Sequence, residues 1–341
     1  MKAALATTVP LRDAAKPRVG FLGVGWIGRH RMEAMLATGA VQAAAVADPS
    51  PEMTVEALKL APDAESAASL DVLLDMGLDG LVIATPSALH AEQAIRALER
   101  GVAVFCQKPL GRTEAETRAV VDAARAADRL LAVDLSYRFT EGMRRVREQV
   151  RSGALGRVFA ADLTFHNAYG PDKAWFYDPA LSGGGCVMDL GVHLVDLALW
   201  TFDFPGVTGV RSRLYAAGEP LTPGGGRVED YAVAELDLAD GGVVRLACSW
   251  KLQAGCEAVI EAAFHGLNGG AAFRNLGGGF YDFAAELRRG TTREPLAEPP
   301  DPWGGRAAAR WAEQLAVGAR FDPEAERLVE VAGVLDRIYG R

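Results

Sequence analysis

The 341-residue sequence is poor in cysteine, histidine and lysine. Its four cysteines, Cys106, Cys186, Cys248 and Cys256, form no C-x-x-C pair. Their spacings suit neither a zinc site nor the disulfide framework of a small secreted domain. The five histidines, at positions 30, 90, 166, 193 and 265, make no H-x-x-x-H or H-E-x-x-H, so no protein metal site is expected. Lysine supplies only six of the 36 basic residues, and the net charge is −8. An acidic chain without a basic run lacks the electrostatic footprint of a nucleic-acid or anionic-membrane partner. No stretch reaches the ~20 apolar residues of a membrane span. Residues 1–16 lack the charged start and apolar core of a secretory signal and contain no twin Arg. They are expected to form an N-terminal tail, and the location to be cytoplasmic.

Apolar residues are abundant, at 50%, with 23% charged. That composition supports a sizeable core, and the length suits two domains of about 100–200 residues. Short apolar runs at 19–23, 41–47, 81–85, 102–106 and 130–135 alternate with helical patterns at 27–37, 88–100 and 113–127, with a further helix start at Ser50-Pro51. Such alternation predicts a parallel sheet with crossover helices. After a helix at 141–152 come long β-prone segments at 157–166, 207–215, 228–238, 243–251 and 258–265. These predict a large, open, mostly antiparallel sheet. Gly/Pro clusters at 219–226 and 295–305 read as loops, and 303–317 and 323–339 as closing helices. The expected division is a tail over 1–16, a Rossmann-like α/β domain over 17–140, and a second α/β domain over 141–341.

Gly23-Val24-Gly25-Trp26-Ile27-Gly28 is a G-x-G-x-x-G that follows a strand and opens a helix. Gly23 permits the tight turn, Gly25 lets the backbone approach a pyrophosphate, and Gly28 permits close helix–strand packing. The helix start offers unpaired N–H groups and positive dipole to phosphates. Asp48 lies twenty residues past Gly28, at the end of the second strand. There a carboxylate meets the adenosine ribose of NAD and repels the 2′-phosphate of NADP. NAD is therefore favoured over NADP, although a helix-capping Asp has the same sequence signal.

Residues 182–200 run from a glycine-rich approach into an apolar helix. Asp189, His193, Asp196 and Trp200 are spaced by four, three and four, which lines them on one helical stripe. Polar groups on such a helix need partners or a ligand. By pattern alone, a satisfied core histidine beside a carboxylate remains open.

A-T-P-S-A-L-H at 84–90, Q-K-P-L at 107–110, S-Y-R-F at 136–139 and the run from Asp178 to Asp196 occur in one order. In this the chain resembles the glucose–fructose oxidoreductase / inositol dehydrogenase / MocA family, over nearly all residues after 17. The resemblance implies a nicotinamide-binding first domain and a second domain that lines the substrate site. It places Thr85, Pro86 and His90 along the cofactor, with a surface histidine open as an alternative for His90. Lys108 matches the central Lys of the family's E-K-P motif, beside both substrate and nicotinamide ribose. Asp189 and His193 become catalytic candidates through D-x-G-x-H, with Asp196 supporting the helix or orienting His193. Tyr137 and Arg138 are expected to line the substrate site, or Arg138 to bridge the domains. Tyr169, Trp175, Tyr177 and Asp178 precede the glycine run, and their aromatic faces suit sugar rings. Gln107 replaces the family Glu and removes a carboxylate beside Lys108.

The expected activity is NAD-dependent hydride transfer to or from a secondary hydroxyl of a sugar or cyclitol. Either His193 or Lys108 acts as base. Other reactions on this scaffold stay open, as an imine or bilin reductase or an NAD-cycling glycosidase, and so does a non-catalytic sugar-binding regulator. Self-association through an apolar sheet face, as a homodimer or homotetramer, is expected. Loops at 166–182 and 266–282 are expected to set specificity.

Overall fold

The computed structural model describes residues 16–221 and 226–341. The expected N-terminal tail, apart from Lys16, and residues 222–225 of the expected loop lie outside the described residues. The first sheet has six parallel strands: β1 (Arg18–Leu22), β2 (Gln42–Ala47), β3 (Glu65–Ser66), β4 (Gly80–Ile83), β5 (Ala103–Cys106) and β6 (Leu131–Val133). Their order is β3-β2-β1-β4-β5-β6. The crossovers carry α1 (Trp26–Ala37), α2 (Pro51–Leu58), α3 (Leu70–Leu74), α4 (Ser87–Glu99) and α5 (Glu114–Ala127). Every residue of β4 and β5 is buried, which is why both read as unbroken apolar runs. Strand order reverses between β1 and β4, and a ligand crevice opens outside the carboxyl ends of strands at such a point.

Helix starts follow local chemistry. Ser50 and Thr113 cap α2 and α5 by accepting from Met53 N and Glu116 N. Such caps contribute about 0.5–2 kcal/mol. Gly25 begins α1 with no side-chain cap, so the N–H groups of that first turn stay available.

The second sheet has nine strands: β7 (Val158–Asn167), β8 (Val207–Ala216), β9 (Glu219–Pro220), β10 (Tyr231–Leu238), β11 (Val243–Ser249), β12 (Ala258–Gly266), β13 (Gly270–Asn275), β14 (Phe283–Arg289) and β15 (Thr292–Ala297). Their order is β15-β14-β13-β12-β7-β11-β10-β8-β9. The β7–β11 pair is parallel, and the other neighbours are antiparallel. In β10 the alternate residues Ala232, Ala234, Leu236 and Leu238 face the core. Helices α6 (Glu141–Arg151), α7 (Pro179–Ser182) and α8 (Val192–Thr201) follow the first sheet, and α9 (Arg306–Ala316) and α10 (Arg327–Tyr339) close the chain.

Three expectations are corrected. The open face of the second sheet is not apolar: Arg211 pairs with Glu235 and Asp237, and Arg245 with Asp162. Strands β13, β14 and β15 occupy segments that read as loop or as nothing, because G-A-A-F-R-N and F-A-A-E-L-R-R are rich in glycine, alanine and helix formers rather than β-branched residues. Finally, α9 does not belong with the second sheet. Trp311 is fully buried against the first sheet, 5.9 Å from Phe105 between ring centroids. A Cβ at Gly80 would stand 2.6 Å from its ring. Helix α10 bridges both parts, since Asp336 accepts from Glu114 N at 2.8 Å while Ser212 donates to the Ile338 carbonyl at 2.6 Å.

Candidate active site

A cleft of about 1100 Å³ runs from the glycine turn, across the ends of β4 and β5, to the α8 region of the second part. At its first end the three glycines have different reasons to be glycine. Gly23 has φ +81°, and a Cβ there would lie 2.6 Å from the Ala84 carbonyl oxygen. A Cβ on Gly28 would lie 2.1 Å from the Gly23 carbonyl oxygen. At Gly25, which lines the cleft, nothing stands within 4 Å of where a Cβ would be. That open space beside an uncapped helix start could hold a phosphate group. Trp26, 65% exposed, and Ile27 also line it.

Asp48 holds the turn in shape. Its Oδ2 accepts from Val24 N at 2.8 Å and its Oδ1 from Ser50 N at 2.9 Å. Thr85 and Pro86 line the cleft after β4. His90 is not on the surface but 1% exposed. Its two ring nitrogens lie 2.7 Å from the Pro109 and Thr85 carbonyl oxygens, tying together the loops after β5 and β4. Burial lowers its pKa, against the opposing pull of those carbonyls.

At the other end, Lys108 Nζ donates at 2.6 Å to both the main-chain oxygen and Oδ1 of Asp189. The indole N–H of Trp250 donates to Asp189 Oδ2 at 3.0 Å. Asp189 sits in a π turn, Val187–Gly191, that leads into α8. The turn is anchored from behind by Glu229, a buried carboxylate that accepts from Gly185 N, Val187 N and the Tyr339 hydroxyl. Burial raises the pKa of Glu229 against those three donors. A Cβ on Gly185 would stand 1.9 Å from the Glu229 main-chain oxygen, so the glycine run is a packing requirement as well as an approach.

His193 faces the same cleft, edge-on to Tyr137 with ring centroids 5.0 Å apart. Burial, followed by the positive charges of Lys108 and Arg31, holds it well below the usual histidine value. A neutral imidazole is thereby kept in the cleft. Tyr137, Trp175, Phe176, Tyr281 and Trp303 also line it, with Tyr137 and Trp303 stacked at 5.3 Å. Tyr169 and Tyr177 are not part of the lining, and Asp178 caps α7 by accepting from Ala180 N.

Arg138 takes the second of its two expected placements, bridging the parts, and Gln107 differs from expectation. Arg138 does not line the cleft. It forms a two-pronged ion pair with Asp196, including Nε to Oδ2 at 2.8 Å, and its guanidinium lies over Trp200 and Phe204. Asp196 is 1% exposed, and a carboxylate so buried needs this partner. It therefore answers Arg138 and not His193. Gln107 likewise turns from Lys108, since its amide donates to Asp134 Oδ2 at 2.6 Å, beside the Arg31 Nε contact at 2.5 Å. Trp250, Glu229, Arg31 and Asp134 had no sequence signal, because each acts through contacts distant in the chain. Among the described residues no group of three or more His, Cys, Asp or Glu could hold a metal ion, and no helix is long and apolar enough to cross a membrane.

Residues 17–135 match the model of the oxidoreductase family with an NAD-binding Rossmann fold, and residues 143–272 match the GFO/IDH/MocA C-terminal domain. The chain belongs to the Gfo/Idh/MocA oxidoreductase family. Among relatives of this Gfo/Idh/MocA protein, an Escherichia coli D-glucoside 3-dehydrogenase is 29% identical over 210 residues, 59% of this chain and 60% of that protein. The chain therefore matches less than two thirds of that enzyme's length. An inositol 2-dehydrogenase of Acidothermus cellulolyticus is 28% identical over 316 residues, 89% of this chain and 84% of that protein. A solved levoglucosan dehydrogenase, in complex with NADH and levoglucosan, superposes with TM-score 0.81 at 23% identity, covering 95% and 96% of the two chains.

Proposed function

We propose that this protein is an NAD-dependent dehydrogenase that moves a hydride between nicotinamide and a secondary alcohol or ketone of a sugar, sugar derivative or cyclitol. The observation that carries this reading is the meeting of Lys108, Asp189 and His193 in the cleft that begins at the glycine turn. Relatives acting on glucosides and inositol support the substrate class.

Gly25 and the first turn of α1 would hold the pyrophosphate, and Asp48 the adenosine ribose. Asp48 disfavours a 2′-phosphate by charge, which supports NAD over NADP. Thr85 and Pro86 would lie along the dinucleotide, with His90 fixing their loop. When bound, the nicotinamide supplies the acceptor or donor of the hydride.

The protein supplies position and the proton path. An ammonium has three N–H donors; Lys108 uses its contacts on Asp189 and keeps capacity for the substrate oxygen. Asp189 is fixed by Lys108 and Trp250, and so orients the ammonium. His193 makes no hydrogen bond that holds its ring nitrogens to the protein among the described residues. It is the base that takes the hydroxyl proton during oxidation and returns it during reduction. Lys108 is assigned the positioning and polarising role, because its N–H groups are directed at a carboxylate. Tyr137 and Trp303 offer the apolar wall suited to the C–H face of a ring substrate.

The test is a panel of sugars, glycosides and cyclitols with NAD and, separately, NADP, read by absorbance of the reduced cofactor. Substrate-dependent reduction of NAD, faster than of NADP, is expected. No reduction with any polyol, by protein that binds NADH, would favour a binding protein instead.

A further inference from the structure

Four buried side-chain N or O atoms lack a hydrogen-bond partner among the described residues: Asp134 Oδ1, Asn167 Oδ1, Thr201 Oγ1 and Trp311 Nε1. Of their residues only Asp134 lines the cleft. It follows β6 directly and is 1% exposed. Its other oxygen, Oδ2, is doubly engaged, by Arg31 Nε at 2.5 Å and Gln107 Nε2 at 2.6 Å. A carboxylate oxygen removed from water and left without a donor is costly. Here the cost falls at the wall of a ligand cleft.

The surroundings define the missing donor. Arg31 already balances the Asp134 charge, so a neutral N–H or O–H suffices. Arg31 lies on α1, Gln107 follows β5 and Asp134 follows β6, so all three belong to the first, nucleotide-binding part. His193, from the second part, feels the charge of Arg31, so the Asp134 group stands near the proposed reacting end of the cleft. The adenosine end of a dinucleotide is accounted for by Asp48 after β2, and the pyrophosphate by Gly25 after β1. Continuing across the switch point, β5 and β6 are left for the nicotinamide end. We propose that Asp134 Oδ1 accepts the carboxamide N–H of the nicotinamide, with Arg31 and Gln107 holding the carboxylate in place. This assigns Gln107 a purpose. A glutamate at 107 would press a second carboxylate against Asp134 Oδ2, whereas the amide donates to it.

The inference rests on the NAD-dependent reading, and binding measurements separate the two. Affinities of wild-type protein are measured for NADH, for ADP-ribose, and for the reduced 3-acetylpyridine analogue, which keeps the ring but lacks the amide N–H. Wild type is expected to bind NADH about tenfold or more tighter than the analogue, the scale of one hydrogen bond to a charged group. Asp134→Leu, or Arg31→Met with Asp134→Leu where the lone Arg31 charge prevents folding, is expected to erase that preference and leave ADP-ribose affinity within about twofold. Equal wild-type affinity for NADH and the analogue would overturn the assignment. So would a variant that weakens NADH and ADP-ribose alike, or one that alters only the KM for the alcohol, which would mark a substrate hydroxyl as the donor. Wild-type protein that binds neither NADH nor ADP-ribose would overturn the NAD reading itself.

Discussion

Lys108 and Asp189 join the two halves of the cleft: one ammonium, carried on the loop after β5, lies 2.6 Å from both the main-chain oxygen and Oδ1 of a residue in the π turn before α8. Each side chain is under one-fifth exposed, so the pair is shielded yet open to a ligand. Trp250 supplies the remaining contact to the Asp189 carboxylate. Trp250→Phe keeps an aromatic side chain and removes the N–H. A hydrogen bond to a charged group contributes about 1.5–3 kcal/mol, so kcat should fall about ten- to hundredfold, with NADH affinity unchanged. Paired turnover and binding measurements check this.

The pH dependence follows from His193. Burial and the charges of Lys108 and Arg31 depress its pKa. His193, the proposed base, is thereby favoured in its neutral form, and the acid limb of kcat/KM is expected below the usual histidine value of 6.5. Activity is lost as pH falls through that limb. Lys108→Met removes one depressing charge, so the His193 titration, followed by NMR of ring-labelled histidine, should move to higher pH. An unmoved titration would separate the two residues.

The glycine turn allows a split between folding and binding. Gly25→Ala meets nothing within 4 Å and has no positive φ, so the thermal midpoint should hold while NADH affinity drops at least about tenfold through the filled space. Gly23→Ala combines φ +81° with a backbone clash, so it should lower the melting temperature itself.

Arg138→Ala leaves Asp196 buried without a cation, a change that costs about 3–5 kcal/mol in comparable buried pairs. Chemical denaturation should show that loss. The KM of the folded fraction for the alcohol should stay near wild type, because Arg138 does not line the cleft.

Legibility in the sequence followed the range of the interaction. The first sheet could be read because strands such as G-L-V-I and A-V-F-C, covered on both faces, leave continuous apolar runs. Gly23, Gly25 and Gly28 could be read because the turn is local. Strands β13 to β15 could not, since alanine-rich segments such as F-A-A-E-L-R-R owe their extension to neighbouring strands. Trp311 gave no sign that it returns to the first sheet, a tertiary choice made by Gly80 and Phe105. Asp189 and His193 shared a visible spacing, but their supports, Trp250 and Glu229, lie about 35 to 60 residues further along and carry no spacing rule. Arg138 showed the limit of motif matching, for the residue is present and its guanidinium is committed to Asp196.

His193 is proposed as the proton acceptor in an NAD-linked alcohol oxidation. The direct measurement compares wild type with His193→Ala for alcohol-dependent NADH formation, on substrates found active in the panel, with NADH affinity measured alongside. A fall of about 10²–10⁴ in kcat is expected, the range for a general base, with NADH affinity within about twofold of wild type. Near-wild-type turnover by His193→Ala would contradict it.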